Sequence, residues 1–225
     1  VDFSPNGNYI AVAFYNSPYF QLLNHSTPGS VSLEATYTLA GHGNGVSFSP
    51  DGNYIAVNCS TSPYFTLLRF NAGTLSKSAT YTLAGAGNAV AFSPSGSYIA
   101  VAHATTPYFT LLTKSGGSVS LATTYTLAGT GYGVSFSPDG NYIGVGAGTA
   151  PRFTLLNHTT PGSVSLATTY GAAGSVYGID FMPSAGGETK SVSDSGSGSD
   201  SVSVKVLIGL SDSGSGVDAT PAIKN

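Results

Sequence analysis

The sequence predicts an all-β chain folded as a β-propeller, and three observations carry that prediction. They are a repeat with a period in the forties, short strands set between Pro/Gly turns, and inner strands that do not alternate. The phrase Val134-Ser-Phe-Ser-Pro-Asp-Gly-Asn-Tyr-Ile-Gly-Val145 recurs at Val1–Val12, Val46–Val57 and Val90–Val101, and decays at Ile179-Asp-Phe-Met-Pro183. Successive copies start 45, 44, 44 and 45 residues apart. Repeats of this length are single supersecondary units that stack to bury a shared core. The reading is four four-stranded blades of 44–45 residues, at residues 1–45, 46–89, 90–133 and 134–178, with a fifth starting at 179. The chain divides into propeller repeats over 1–183 and a Gly/Ser/Asp-rich β tail over 184–225. That tail reads as a degenerate fifth blade or a small β appendage.

The third repeat shows how each strand is read. Val90–Phe92 is a short strand ended by Ser93-Pro-Ser-Gly96, whose composition is that of a type I turn. Tyr98–His103 follows as a continuous small-apolar run, which marks a strand covered on both faces. Thr105-Thr-Pro107 turns the chain into Tyr108–Leu112, and Ser115-Gly-Gly117 turns it into Ser118–Leu127. The last strand alternates, with Val119, Leu121, Thr123, Tyr125 and Leu127 on one face and Ser118, Ser120, Ala122, Thr124 and Thr126 on the other. One wet face makes it the outermost strand. Each outer strand ends in a Gly-rich crossover, such as Ala40-Gly-His-Gly-Asn-Gly45, where glycine lets the backbone bend from rim to centre. A strand follows these runs where a phosphate-binding loop needs a helix N-terminus, so they are read as crossovers.

Leu39-Ala-Gly-His42 with Phe48-Ser-Pro-Asp-Gly52 resembles the WD-repeat family. The chain departs from it in having no Trp, and in replacing the His of Gly41-His42 by Ala86, Thr130 and Ser175 in the other crossovers. Phe92–Thr110 is more similar to WD-like propeller repeats in tail-associated structural proteins of phages and prophages. That resemblance covers residues 1–183 and implies a structural role in a virion or extracellular assembly.

Composition narrows the function. Charged residues make up only 8%, which with ample aromatic and β-branched residues argues for packed sheet rather than solvated chain. Residues 1–178 hold four basic and four acidic side chains, and residues 179–225 hold three against six. No basic footprint for nucleic acid and no polybasic membrane patch follows from that, so nucleic-acid partners and membrane insertion are not expected. The apolar runs Tyr9–Tyr15 and Val206–Leu210 are too short to span a bilayer. Cys59 is alone, which leaves no disulfide framework and no cysteine zinc site.

No Gly-x-Ser-x-Gly elbow and no His-Glu-x-x-His occurs. His25 and His158 occupy matching loops and read as rim loop residues, and none of the four histidines has a motif partner. Asp51 and Asp139 sit in turns, where Asp bonds its own backbone. The tail acids Asp194, Asp200, Asp212 and Asp218 partly match a calcium-binding nonapeptide repeat, but the residues between lack the motif, so turn chemistry is the first reading and calcium the second. No other cofactor is expected. Asn-x-Ser/Thr triplets start at Asn24, Asn58 and Asn157.

Exposed Tyr and Asn suit protein or glycan contacts. Tyr15, His42, Asn44, Asn88, Tyr132 and Tyr177 are therefore the candidate binding residues, on the loop face of the propeller. The expected function is a non-enzymatic structural and interaction module of a virion tail or extracellular filament. Its expected partners are copies of itself, other structural proteins, or a host-surface protein or glycan. Two alternatives stand beside it: a propeller enzyme of the lactonase or oxidoreductase kind, using Asp2 and Asp180 near the axis, and an intracellular WD-type adaptor.

Overall fold

The structure is a computed structural model that describes residues 1–71 and 73–181. The 184–225 tail lies outside the described residues, as do its expected strand and its four acids.

Each repeat folds into a four-stranded antiparallel sheet whose strands lie in chain order. Blade 1 holds β1 (Asp2–Phe3), β2 (Tyr9–Ala13), β3 (Phe20–Asn24) and β4 (Ser32–Thr36). Blade 2 holds β5 (Gly43–Phe48), β6 (Tyr54–Cys59), β7 (Tyr64–Asn71) and β8 (Thr74–Thr82). Blade 3 holds β9 (Gly87–Phe92), β10 (Tyr98–His103), β11 (Tyr108–Ser115) and β12 (Ser118–Thr126). Blade 4 holds β13 (Gly131–Phe136), β14 (Tyr142–Ala147), β15 (Phe153–Asn157) and β16 (Ser165–Tyr170). The first strands of successive blades pack side by side, β1 with β5, β5 with β9 and β9 with β13. Four propeller blades are thus the architecture of the described residues.

Three apolar joints hold the blades together, and they are copies of one another. At the first, Ala11, Phe20, Leu22 and Leu39 of blade 1 meet Val46, Phe48, Ile55, Val57 and Leu68 of blade 2. At the second, Ala56, Phe65, Leu67 and Leu83 meet Val90, Phe92, Ile99, Val101 and Leu112. At the third, Ala100, Phe109, Leu111 and Leu127 meet Val134, Phe136, Ile143, Val145 and Leu156. Blades 1–3 therefore each offer an Ala-Phe-Leu-Leu face forward, and blades 2–4 each receive it on a Val-Phe-Ile-Val-Leu face. In blades 2 and 3 the second and third strands are buried on both sides because both faces are used, which is why they read as unbroken apolar runs.

The turn between first and second strands is built the same way each time. In blade 4 the buried Ser137 accepts from the Tyr142 N–H at 2.9 Å and donates to Asp139 at 2.6 Å, while Gly140 N–H donates to the Ser137 carbonyl at 2.9 Å. Gly140 has a φ of 75°, the left-handed region that glycine enters without penalty. Asp139 also accepts from its own Asn141 N–H at 3.0 Å, as its turn reading requires.

Three expectations are corrected. The inner strand of blade 3 starts at Gly87 rather than Val90, because the Gly-rich crossover itself pairs, Gly87 with His103. The third strand runs to Ser115, past the expected end at Leu112. The outer strand does not alternate strictly, because a bulge sets Thr123 opposite Leu111 and Leu121 opposite Leu112, leaving Ala122 extra. A bulge inserts one residue and reverses the facing pattern on one side of it. Leu121 is accordingly 51% exposed instead of facing inward with Tyr125.

Beyond β16, the segment Ala172–Phe181 forms no strand but packs on blade 4 as an inner strand would. A Cβ added to Gly144 would stand 2.9 Å from Ile179 Cγ2 and 3.2 Å from Phe181 Cε2. Ile179 and Phe181 thereby hold the place on blade 4 that Val46 and Phe48 hold on blade 1.

Candidate functional site

The crossovers and the turns between second and third strands lie on one face of the propeller. His42 and Ser60 tie them together: His42 N–H donates to Ser60 Oγ at 3.0 Å, and Ser60 N–H donates to the His42 carbonyl at 2.9 Å. In three of these turns a tyrosine takes the left-handed conformation, Tyr19 at φ 73°, Tyr64 at 69° and Tyr108 at 71°. Such a φ is unfavourable for a non-glycine residue by roughly 1–2 kcal/mol, so the surrounding structure must hold it. Packing does so: Tyr19, Tyr64 and Tyr108 each border one of the three blade joints. Blade 4 has Arg152 instead, whose Nη1 donates to the Ala172 carbonyl at 2.8 Å and pins the last crossover.

The six candidate binding residues fall into two kinds. Tyr15 is 71% exposed and lies over His42, ring centroids 3.7 Å apart at 48°, with Tyr19 5.8 Å beyond. Tyr177 is 56% exposed and stacks on Tyr132, centroids 4.7 Å apart at 29°. These are two aromatic platforms, one at each end of the arc of blades. Tyr132 sits in β13 rather than in the expected turn.

The two asparagines, Asn44 exposed and Asn88 half-buried, bond from one blade to the next. Asn44 Nδ2 donates to the Gly87 carbonyl at 2.9 Å, and Asn88 Nδ2 donates to the Gly131 carbonyl at 2.7 Å. Each ties its inner strand to the inner strand of the next blade. Close approach there explains the crossover glycines, since a Cβ on Gly45 would meet the Asn88 carbonyl oxygen at 2.9 Å. Tyr132 replaces this asparagine in blade 4, so stacking replaces the amide bond at the last joint.

The inner-strand acids that a propeller enzyme would use are placed as follows. Asp2 Oδ2 accepts the Phe48 N–H at 2.7 Å, and Ser47 Oγ in the next blade accepts the Phe92 N–H at 3.2 Å. Burial raises the Asp2 carboxyl above its ordinary range, against the bonds from Phe48 and Phe3. Asp180 is exposed. Among the described residues, no group of three or more His, Cys, Asp or Glu converges.

Sequence reasoning missed a polar set beneath the crossover face. His103 and Asn58 are fully buried, on the facing strands β10 and β6 of the second joint. His103 Nε2 lies 3.0 Å from Thr110 Oγ1, and Asn58 Nδ2 donates to the Ala89 carbonyl at 2.9 Å. Burial lowers the His103 imidazole below its ordinary value, with a backbone bond near Thr105 opposing. His158 was read as a rim loop residue and is instead 8% exposed. Its Nδ1–H donates to the Gly140 carbonyl at 2.9 Å, and its ring stands edge-on to Tyr98 at 4.8 Å. The signal in the sequence was position: His103 occupies the strand place that Cys59 holds in blade 2, also buried.

Comparison with known proteins supports the same architecture. A family model described as WD domain, G-beta repeat matches residues 33–62. No curated protein matches the chain in sequence. Among solved structures, a candidate 6-phosphogluconolactonase from Bacteroides uniformis aligns with TM-score 0.65 at 15% identity, covering 74% of this chain and 55% of that one. Sqt1 of Chaetomium thermophilum, bound to the N-terminus of ribosomal protein L10, aligns with TM-score 0.63 at 16% identity, covering 77% and 49%. A functionally unknown protein from Desulfotomaculum acetoxidans aligns with TM-score 0.66 at 12% identity, covering 76% and 55%. The chain spans about half the length of these structures, and the likeness is one of fold.

Proposed function

We propose that this chain is a non-enzymatic structural and interaction propeller, a component of a virion tail or extracellular filament that makes contacts through its crossover face. The observation that supports this reading is the pair of exposed aromatic platforms, Tyr15 over His42 and Tyr177 on Tyr132. Exposed tyrosine presents a large rigid surface with a polar tip and little entropy to lose on binding. Its occupants are other structural proteins or a surface protein or glycan. Asp2 and Ser47, polar side chains of the inner strands, are meanwhile engaged in blade-to-blade bonds. The propeller of Sqt1 shows the fold serving a peptide partner, and the lactonase-like neighbour shows it in an enzyme setting, so the test must separate the two.

Antibody against the chain, used to label native particles in the electron microscope, tests the role. Label along a filament or tail supports it. Label confined to a soluble fraction that turns over sugar lactones, with turnover lost in Asp2→Ala, overturns it in favour of the enzyme.

A further inference from the structure

We propose that the face opposite the crossovers binds an acidic oligosaccharide, one carboxylate of which is held by Arg69 and Lys114 in the cleft between blades 2 and 3. This goes beyond the contacts proposed for the crossover face, because the cleft lies at the other end of the strands.

The argument starts from a contact that each of the three joints repeats. Phe70, Lys114 and His158 are equivalents, since their N–H groups donate to the carbonyls of Asn53, Ser97 and Asn141 at 2.9, 2.8 and 2.7 Å. Each caps the tyrosine that opens the second strand of the preceding blade. Phe70 stands edge-on to Tyr9 at 4.7 Å, and His158 edge-on to Tyr98 at 4.8 Å. At the second joint the cap is charged: Lys114 Nζ lies 4.2 Å from the centroid of the Tyr54 ring. Arg69 is the register partner of Tyr54, so the two share the blade face that Lys114 meets. In the other blades that partner is Asn24, Thr113 or Asn157. Both departures from the repeat add a cation, and both fall at one joint. Residues 1–178 hold four basic side chains in all, so half of them are gathered here.

Arg69, Lys114 and Tyr54 line a cleft of about 360 Å³ with Asp51, Asn53 and Asn71, a volume within the range of ligand sites. Among the described residues neither cation forms a salt bridge, and the Tyr54 ring holds the ammonium in place. Guanidinium and ammonium together suit a carboxylate. Asp51 selects what that carboxylate is attached to. Partial burial would raise its carboxyl, but bonds from Ser49 and Asn53 and the charge of Lys114 hold it below 3.8, so it is anionic at neutral pH. A fixed carboxylate repels a dianion such as phosphate and accepts from a hydroxyl. A sugar acid supplies one negative charge and several hydroxyls, which the amides of Asn53 and Asn71 also suit. Past those amides the cleft continues into a second one at the first joint, lined by Pro5, Asn6 and Tyr9. The two share Asp51, Asn53 and Asn71, so the groove crosses blade 2 and has room for the next sugars of a chain.

Isothermal titration calorimetry of the full chain with trigalacturonate at low salt tests the site, beside circular dichroism for the fold. Binding is expected, weakened by about tenfold in Arg69→Asn and in Lys114→Phe. Each substitution copies the residue another blade uses at that place, so the fold is kept. Lys77→Gln, exposed in β8 and outside the cleft, changes binding less than about twofold. No binding, or binding indifferent to both cleft substitutions, overturns the site. The neutral methyl ester bound as tightly as the acid overturns the carboxylate. Inorganic phosphate bound as tightly as trigalacturonate overturns the saccharide in favour of a bare-anion site. An acidic peptide of equal charge bound more tightly overturns it in favour of a protein partner. Labelling of native particles is read apart from all of these, so the proposed function stands or falls on its own.

Discussion

The carboxylate of Asp2 accepts the backbone N–H of Phe48 at 2.7 Å, across the joint from blade 1 to blade 2. Burial raises this carboxyl in spite of that bond, so its charge is disfavoured in the fold. A raised acid contributes stability below its unfolded value of 3.8, and that contribution is lost as pH climbs through the folded value. Asp2→Asn keeps the acceptor without the charge. At pH 7 it should melt no lower than the parent, whereas Asp2→Ala should cost about 1 kcal/mol. A clear drop in Tm for Asp2→Asn would show that the charge itself holds the joint.

Acid should weaken the molecule in two separate windows. His103 is held neutral by burial, with its folded value below the ordinary 6.5. The unfolded chain therefore binds the proton first, and stability is lost as pH falls through 6.5 toward the folded value. His103→Cys copies the residue blade 2 uses at this place and should flatten the denaturation midpoint between pH 7 and 5. Asp51 and Asp139 act lower down. Partial burial would raise them, but bonds from Ser49 and Asn53, and from Ser137 and Asn141, hold them below 3.8. Their contribution is lost only as pH falls below that value. An unchanged slope from pH 7 to 5 in His103→Cys would assign the upper window to another group.

Strand order within the blade can be tested by paired truncations. Phe92 is 8% exposed in β9 and belongs to the second joint with Leu67 and Ile99. Phe92→Ala should cost about 3–5 kcal/mol. Thr124, exposed in β12, should cost under about 0.5 kcal/mol when replaced by Ala. Urea midpoints with matching m-values would read the difference directly.

What the sequence made legible was whatever the repeat states more than once. The period, the Ser-Pro-Asp-Gly turn and the doubly buried Tyr98–His103 strand each recur, and the structure has them where they were expected. The crossover residues were half legible. Asn44 and Asn88 stood out as polar groups on a loop, but their amides are spent on Gly87 and Gly131, partners 43 residues away. Distance of that kind has no local signature. His103 was hidden for a related reason, since one polar residue at a strand end reads as solvated until the neighbouring blade is in place. Tyr15 and His42 were both named, yet nothing in either local sequence sets one ring on the other.

The bulge in each outer strand gives the sharpest contrast with a pattern reading. Strict alternation puts Leu121 on the inward face with Tyr125, and predicts that removing it opens a cavity. The observed register sets Ala122 extra between Leu111 and Leu112, which turns Leu121 outward to 51% exposure. The same shift occurs at Leu22/Leu23, Leu67/Leu68 and Leu155/Leu156, so it belongs to the repeat. Outer strands end each sheet with an open edge, and a bulge there twists the edge away from pairing with other chains. Leu121→Ser should therefore leave stability within about 0.5 kcal/mol of the parent. Leu112→Ala, one strand inward and fully buried, should cost about 2–5 kcal/mol. Deleting Ala122 restores simple alternation and should swing the residues on one side of it to the opposite face, destabilising blade 3 by more than either substitution. If the deletion were silent while Leu121→Ser unfolded the blade, the pairing of β11 with β12 would have to be redrawn.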